Sequence, residues 1–157
     1  MTLLVRAVWR LTPAAVQAFT SSDLTAWQWV VAAGGVLFIG FLEGYRGFQR
    51  AFAPRVVARA HHLARAPRLL DAALAPAFCM GLLHASRRRL VTSWAVVAGI
   101  IGLVAAVRAV PQPYRGMIDA GVVVGLAWGV VAIVVFATRA LAGHTPRVSL
   151  DLPVDAA

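Results

Sequence analysis

The chain has no lysine, a single cysteine and only six acidic residues against fifteen arginines. The lone cysteine, Cys79, excludes an intramolecular disulfide and any metal site built from several cysteines. Charged residues make up 13% of the chain, against about 25% in an average soluble domain. Sequence motifs of nucleophilic, metal or phosphate chemistry, such as GxSxG, HExxH and the P-loop, are absent as well. We therefore predict a protein that is not an enzyme and binds no cofactor or metal.

Long apolar runs dominate what is present: 61% of the residues are hydrophobic and the mean hydropathy is +0.78. Leu90–Val107 and Ala120–Thr138 contain no charge, and each is long enough to cross a bilayer as a helix. Leu24–Leu42 is another uncharged run, with Trp27 and Trp29 near its start, where indoles favour the headgroup level. The composition predicts an all-α, polytopic integral membrane protein with three to four membrane helices and a basic amphipathic interfacial helix.

The order of the predicted segments follows from the places where charge and proline interrupt these runs. Residues 1–143 are predicted to form a single helical membrane domain, and 144–157 a disordered tail. An interfacial helix at 1–23, interrupted at Thr12-Pro13, precedes the first span, whose cap is expected among Ser21, Ser22 and Asp23. After it come a span at 24–42, a basic amphipathic arm at 43–68, a marginal segment at 69–86, and spans at 90–107 and 117–138.

Small residues recur at regular spacing in the last two spans. The final span has a glycine-zipper pattern, Gly121, Gly125 and Gly129. The span before it has a similar stripe, formed by Ala95, Gly99, Gly102 and Ala106. Because lipid tails are as apolar as valine, close backbone packing is what holds such helices together. We predict that the two spans pack groove to groove; the alternatives are the ordinary glycine content of membrane helices and a groove that faces a second copy.

The arm 43–68 combines arginines with aromatic and aliphatic residues. On an α-helix, two faces result: Glu43, Arg46 and Arg50 on one, and Phe41, Tyr45, Phe48 and Phe52 on the other. Pro54 is expected to break this helix and reset its register. Anionic lipid headgroups are the predicted partner of five arginines of the arm: Arg50, Arg55, Arg59, Arg65 and Arg68. Nucleic acid is not an expected partner, because no base-stacking platform accompanies the basic stretches.

The marginal segment 69–86 is apolar but is weakened as a span by Asp71, Pro76 and His84. Its length leaves open whether it crosses the membrane or enters and returns. If it does not cross, most arginines share one side, and only four lie on the other: Arg6, Arg10, Arg108 and Arg115. The positive-inside rule favours that arrangement. The expected location is a bacterial cytoplasmic (inner) membrane.

Three acidic residues lie near membrane depth, each with an arginine about one helical turn away: Glu43 with Arg46, Asp71 with Arg68, and Asp119 with Arg115. Interface anchoring and the helix dipole explain them without a further function. We predict a scaffold, assembly or accessory subunit of a larger membrane complex, partnered by another membrane protein or by copies of itself. The alternative is a small oligomeric transporter or channel that uses these acids. A weaker alternative is an enzyme acting on lipid headgroups through His84 or an acid.

Overall fold

The computed structural model describes residues 2–20, 24–65, 74–146 and 148. These residues form helices and connecting turns, with no β-strand among them. The elements are α1 (Thr2–Thr20), α2 (Ala26–Ile39), a π-helix π1 (Gly40–Phe52), α3 (Ala53–Arg65), α4 (Ala75–Cys79), α5 (Arg87–Arg108) and α6 (Tyr114–Leu141). The predicted all-α class is confirmed.

Three continuous helical stretches are long and apolar enough to cross a membrane: Ala26–Arg65, Arg87–Arg108 and Tyr114–Leu141. They correspond to the spans predicted at 24–42, 90–107 and 117–138. The described residues therefore form three helices whose length and composition suit a membrane span, as the apolar runs indicated. None of the most apolar part of α5 is buried within the chain.

The contacts of the chain divide it into two compact units. The first comprises Met1–Arg50 and Leu103–Ala132, and the second comprises Ala51–Gly102 and Ile133–Ala157. In the first unit, the buried residues of α1 are two alanines. In the second, α3 packs against the short α4, and the buried apolar residues of these two elements are Ala53, Pro54, Val57, Ala58, Leu63 and Phe78.

The N-terminal helix α1 runs from Thr2 to Thr20, and Pro13 lies inside it. The predicted interruption at Thr12-Pro13 is therefore wrong. The Thr12 hydroxyl donates to the carbonyl of Val8, 2.7 Å away, which is the local bond of a threonine inside a helix. Ala15 and Ala18 of this helix are buried.

The first long helix begins at a reciprocal capping box. Thr25 accepts a hydrogen bond from the backbone N–H of Gln28, and the Gln28 side chain accepts one from the backbone N–H of Thr25 at 2.9 Å. This arrangement satisfies two N–H groups that a helix start leaves without partners. The predicted caps Ser21, Ser22 and Asp23 lie outside the described residues.

From α2 to α3 the helix continues without a loop, but over Gly40–Phe52 its hydrogen bonds follow the wider i→i+5 pattern of a π-helix. Pro54 is the second residue of the α-helix that follows. The predicted break at Pro54 is therefore wrong, because the register changes before the proline and within a continuous helix.

The marginal segment contains only a short helix in its described part, 74–86. The five residues of α4 extend about 7.5 Å at 1.5 Å per residue, far less than a bilayer requires. Turns follow up to the start of α5. Residues 66–73, with Arg68 and Asp71, lie outside the described part, as does most of the tail 144–157.

Candidate functional site

Three glycines spaced by four on α6 face side chains of α2 and π1. A methyl group added to them would come too close to a facing carbon: 2.9 Å from Ile39 Cδ1 at Gly121, 2.9 Å from Glu43 Cβ at Gly125, and 2.6 Å from Phe48 Cγ at Gly129. Carbon atoms pack best at about 3.5–4.0 Å, so the observed packing has room only for glycine. We refer to Gly121, Gly125 and Gly129 as the glycine seam.

The two helices that meet at the glycine seam are parallel. Their residue numbers rise together, from Ile39 opposite Gly121 to Phe48 opposite Gly129. Along the first long helix, the facing residues Ile39, Glu43 and Phe48 are separated by four and then five positions. A π-helix brings residues at this spacing to one side, because its turn holds more residues than an α-helical turn. The π-helix therefore keeps the side chains of the first long helix in register with glycines spaced by four.

The facing helix contributes small residues of its own. A methyl group added at Gly44 would lie 2.9 Å from Trp128 Cβ, and one added at Gly40 would lie 3.1 Å from Val124 Cγ1. Each helix thus fills the grooves of the other, which is how membrane helices gain van der Waals contact. Gly40 and Gly44 form a GxxxG pair, the sequence pattern that signals such an approach.

The partner of the glycine seam differs from the predicted one. The seam contacts the first long helix, whereas the prediction placed it against the stripe Ala95, Gly99, Gly102 and Ala106 of α5. All four residues of that stripe are exposed. A methyl group added at Gly99 or Gly102 would meet no heavy atom of the described chain within 4 Å. The groove-to-groove pairing is therefore wrong, because small-residue spacing marks a groove on a helix but does not identify the helix that fills it.

Glu43 faces the glycine seam and does not lie on an outer polar face. A methyl group added at Gly125 would come 3.0 Å from Glu43 Oε2, so the carboxylate lies close to the backbone of α6. No ion pair joins Glu43 to Arg46 in the part of the chain that the structure describes, and Arg46 is exposed. The predicted i,i+3 pair fails because the π-helix turns the two residues away from each other.

Asp119 and Arg115 do approach each other near the start of α6. Arg115 Nε lies 3.8 Å from Asp119 Oδ2, and Asp119 is only 5% exposed. Glu43 packs six residues further along α6, at Gly125, which is roughly 9 Å along the helix axis at 1.5 Å per residue. The two described acids therefore do not form one site. Asp71, the third predicted acid, lies outside the described residues.

Arg59 of the second unit is buried, with 3% of its surface exposed. Its Nη2 donates to the backbone carbonyl of His84 at 2.9 Å, and its Cζ lies 4.8 Å from the ring centroid of Phe78. The prediction that Arg59 faces lipid headgroups is wrong, because these contacts turn it inward to join α3 to the α4 segment. The other described arginines of that prediction are exposed or partly exposed: Arg50, Arg55 and Arg65.

The turn after α4 brings Arg59 close to the start of α5. Gly81 has φ +74°, and a methyl group added there would lie 3.0 Å from Arg59 Nη1, 3.2 Å from Arg89 Nε and 3.3 Å from Ser93 Oγ. The left-handed backbone favours glycine at this position, and a larger residue would also push the three side chains back by a few tenths of an ångström. Cys79 lies two residues before the turn, where burial raises the pKa of its thiol while the charge of Arg59 partly opposes that shift.

Polar and aromatic contacts near the glycine seam were not predicted. Trp128 Nε1 donates to Gln49 Oε1 at 2.7 Å. The ring of Tyr45 stacks on that of Phe41, with centroids 5.4 Å apart, and Arg50 Cζ lies 5.7 Å from the Tyr45 centroid. A glutamine within an aromatic-rich helix was the available signal for the first contact, since a polar side chain near membrane depth needs a partner.

Comparisons of the chain with protein-family models, with curated proteins and with solved structures find no match.

Proposed function

We propose that the protein is a non-enzymatic accessory subunit of a larger membrane complex, anchored by three membrane-spanning helices. The observation that supports this proposal is the contrast between two stripes of small residues. The glycine seam of α6 is filled by the chain itself, whereas the stripe Ala95, Gly99, Gly102 and Ala106 of α5 is exposed. Small residues of this kind allow a second helix to approach closely. A transmembrane helix of a partner subunit is the proposed occupant.

The parallel contact at the glycine seam supports three spans and not four. Consecutive spans joined by the short connector between Arg108 and Tyr114 must cross in opposite directions. Because α6 is parallel to the first long helix at the seam, α5 must then cross in the direction opposite to the first helix. The end of the first long helix and the start of α5 therefore lie on the same side, and the residues between them are too few for two helical spans of about 20 residues each.

This arrangement sets the proposed orientation in a bacterial cytoplasmic membrane. The arm and the start of α5 lie on one side with most of the arginines. Only Arg6, Arg10, Arg108 and Arg115 lie on the other side. The positive-inside rule makes the arginine-rich side cytoplasmic. The N-terminus then faces the periplasm and the C-terminus the cytoplasm.

Single-cysteine labelling in intact cells tests the orientation. In a Cys79→Ala background, Arg65→Cys and Arg88→Cys should be protected from a membrane-impermeant maleimide until the cells are opened, whereas Arg108→Cys should react from outside. All three arginines are exposed in the chain, so protection would come from the membrane. Labelling of positions 65 and 88 from opposite sides would establish a fourth crossing and contradict the proposal.

Purification in a mild detergent tests the role as a subunit. The wild type should co-purify with a heteromeric membrane partner, and Gly99→Leu should lose that partner without a loss of its own stability, because a Cβ added at position 99 meets no atom of the described residues within 4 Å. Val104→Leu is the matched control, since Val104 is an exposed apolar residue on another face of α5. A partner retained by Gly99→Leu would contradict docking at this stripe. A homo-oligomer that conducts solute in liposomes would favour the transport alternative.

A further inference from the structure

An apolar cavity lies beside the glycine seam, between the first long helix and α6. Its volume is ≈ 390 Å³, and its lining includes Leu37, Gly40, Tyr45, Val124 and Trp128. Sites for small ligands typically measure about 300–1,000 Å³. The cavity exists because Gly40 allows the helices to approach while larger side chains stand out on either side of it.

The residues that line the cavity are mostly apolar and offer few polar groups to a ligand. Leu37 is 74% exposed and Trp128 47% exposed, so the cavity is bounded by apolar side chains that the chain does not cover. The indole N–H of Trp128 is already donated to Gln49. Binding of a ligand in this cavity would therefore be stabilised by dispersion and by the burial of apolar surface.

A positive charge lies at one end of the cavity. Tyr45 is the last lining residue of π1 in chain order, and Arg50 lies against its ring, with Cζ 5.7 Å from the centroid. Arg46 and Arg50 are both exposed. The nearest acid in the sequence, Glu43, packs against Gly125 in the glycine seam and is not paired with Arg46. Within the part of the chain that the structure describes, no ion pair neutralises these two arginines, so this end of the cavity carries positive charge suited to a phosphate.

We propose that the cavity binds one acyl chain of an anionic phospholipid, whose phosphate is held by Arg50. This inference rests on the proposed membrane location and adds to it a lipid bound at one defined place. Apolar lining and a terminal arginine match the two parts of such a lipid, and the bound lipid would cover the exposed rings of Phe41 and Trp128. A zwitterionic lipid would fill the same cavity but would gain less from Arg50, because its own cation opposes the arginine.

Native mass spectrometry of the protein in mild detergent tests the site, with phosphatidylglycerol and phosphatidylcholine of identical chains as probes. The wild type should retain one phosphatidylglycerol in preference to phosphatidylcholine. Arg50→Gln should weaken phosphatidylglycerol binding about fivefold, the effect of one arginine near an anionic surface, and should leave phosphatidylcholine unchanged. Arg65→Gln removes the same charge from an exposed position outside the cavity and should have no effect.

A second pair of variants tests the cavity itself. Val124→Phe should fill it and weaken both lipids, whereas Val131→Phe, at an exposed position of α6 outside the cavity, should retain them. Glycerol phosphate, which has the headgroup without the chain, should not compete; effective competition would identify a free-phosphate site and overturn the acyl-chain proposal. Equal retention by all variants would also overturn it. Recovery of the wild type in the soluble fraction without detergent would instead refute the membrane location itself.

Discussion

Alanine at position 125 should destabilise the protein, whereas alanine at position 99 should not. At Gly125 the new methyl group would lie 2.9 Å from Glu43 Cβ and 3.0 Å from Glu43 Oε2. A Cβ atom is fixed to the backbone, so the strain is relieved only if the two helices separate. At Gly99 the same methyl group meets no heavy atom of the described residues within 4 Å.

The comparison of these two variants isolates the steric effect. Both glycines lie inside long helices, and replacing glycine by alanine in a helix interior stabilises it by about 1 kcal/mol in either case. Extra carbon in a tightly packed position costs about 1–3 kcal/mol. The free energy of unfolding of Gly125→Ala should therefore lie about 1–3 kcal/mol below that of Gly99→Ala, and Gly99→Ala should be at least as stable as the wild type.

Unfolding by dodecyl sulfate in mild detergent micelles, followed by circular dichroism, measures these free energies. Leucine extends the test, because Gly125→Leu should be far more damaging than Val124→Leu, whose site is 42% exposed. Equal stability of Gly125→Ala and Gly99→Ala would refute the steric account of the glycine seam. Equal damage from the two leucine variants would show that the seam does not discriminate between neighbouring faces of α6.

Three further results are expected. Because burial raises the pKa of Cys79 and only the thiolate is alkylated, iodoacetamide should require a higher pH to modify the folded protein than the unfolded chain; superimposable pH profiles would contradict this. A double-mutant cycle of Gln49→Leu and Trp128→Phe should give a coupling of about 0.5–1.5 kcal/mol, the net value of one hydrogen bond, and zero coupling would exclude the contact. Arg115→Gln should lower the Tm more than Arg115→Gln with Asp119→Asn, because the single change leaves a buried carboxylate without its cation; a double variant with the lower Tm would show that the pair is not stabilising.

The long helices and the glycine seam could be predicted because each depends on local sequence. An uncharged run of sufficient length specifies a membrane helix by itself, and Gly121, Gly125 and Gly129 show their groove in the spacing alone. The cap at Thr25 and Gln28 was also visible as a capping box, although the prediction chose the residues just before it. The bounds of a helix and the position of a groove on it can therefore be predicted from local sequence, but the helix that packs into the groove cannot.

The remaining features depend on contacts between distant residues. The predicted faces of the arm assumed an α-helical period, and the π-helix over Gly40–Phe52 moves Glu43 and Phe48 to the same side. Arg59 was assigned to headgroups because arginine in a basic stretch is usually exposed. Its burial depends on the carbonyl of His84, 25 positions away, and on the ring of Phe78. Neither contact has a signature in the residues around Arg59.

The π-helix over Gly40–Phe52 should form only after α6 has been synthesised. A run of i→i+5 bonds is intrinsically rare, and here its wide turns match the glycines of α6, which the ribosome makes much later. We expect a chain truncated after Arg108 to wind residues 40–52 as an ordinary α-helix, with Glu43 and Arg46 again one turn apart. Nuclear Overhauser contacts between those two side chains would detect that form, and their absence would show that the wide turns arise without α6. In the full chain, α6 would then rewind a helix that was synthesised well before it.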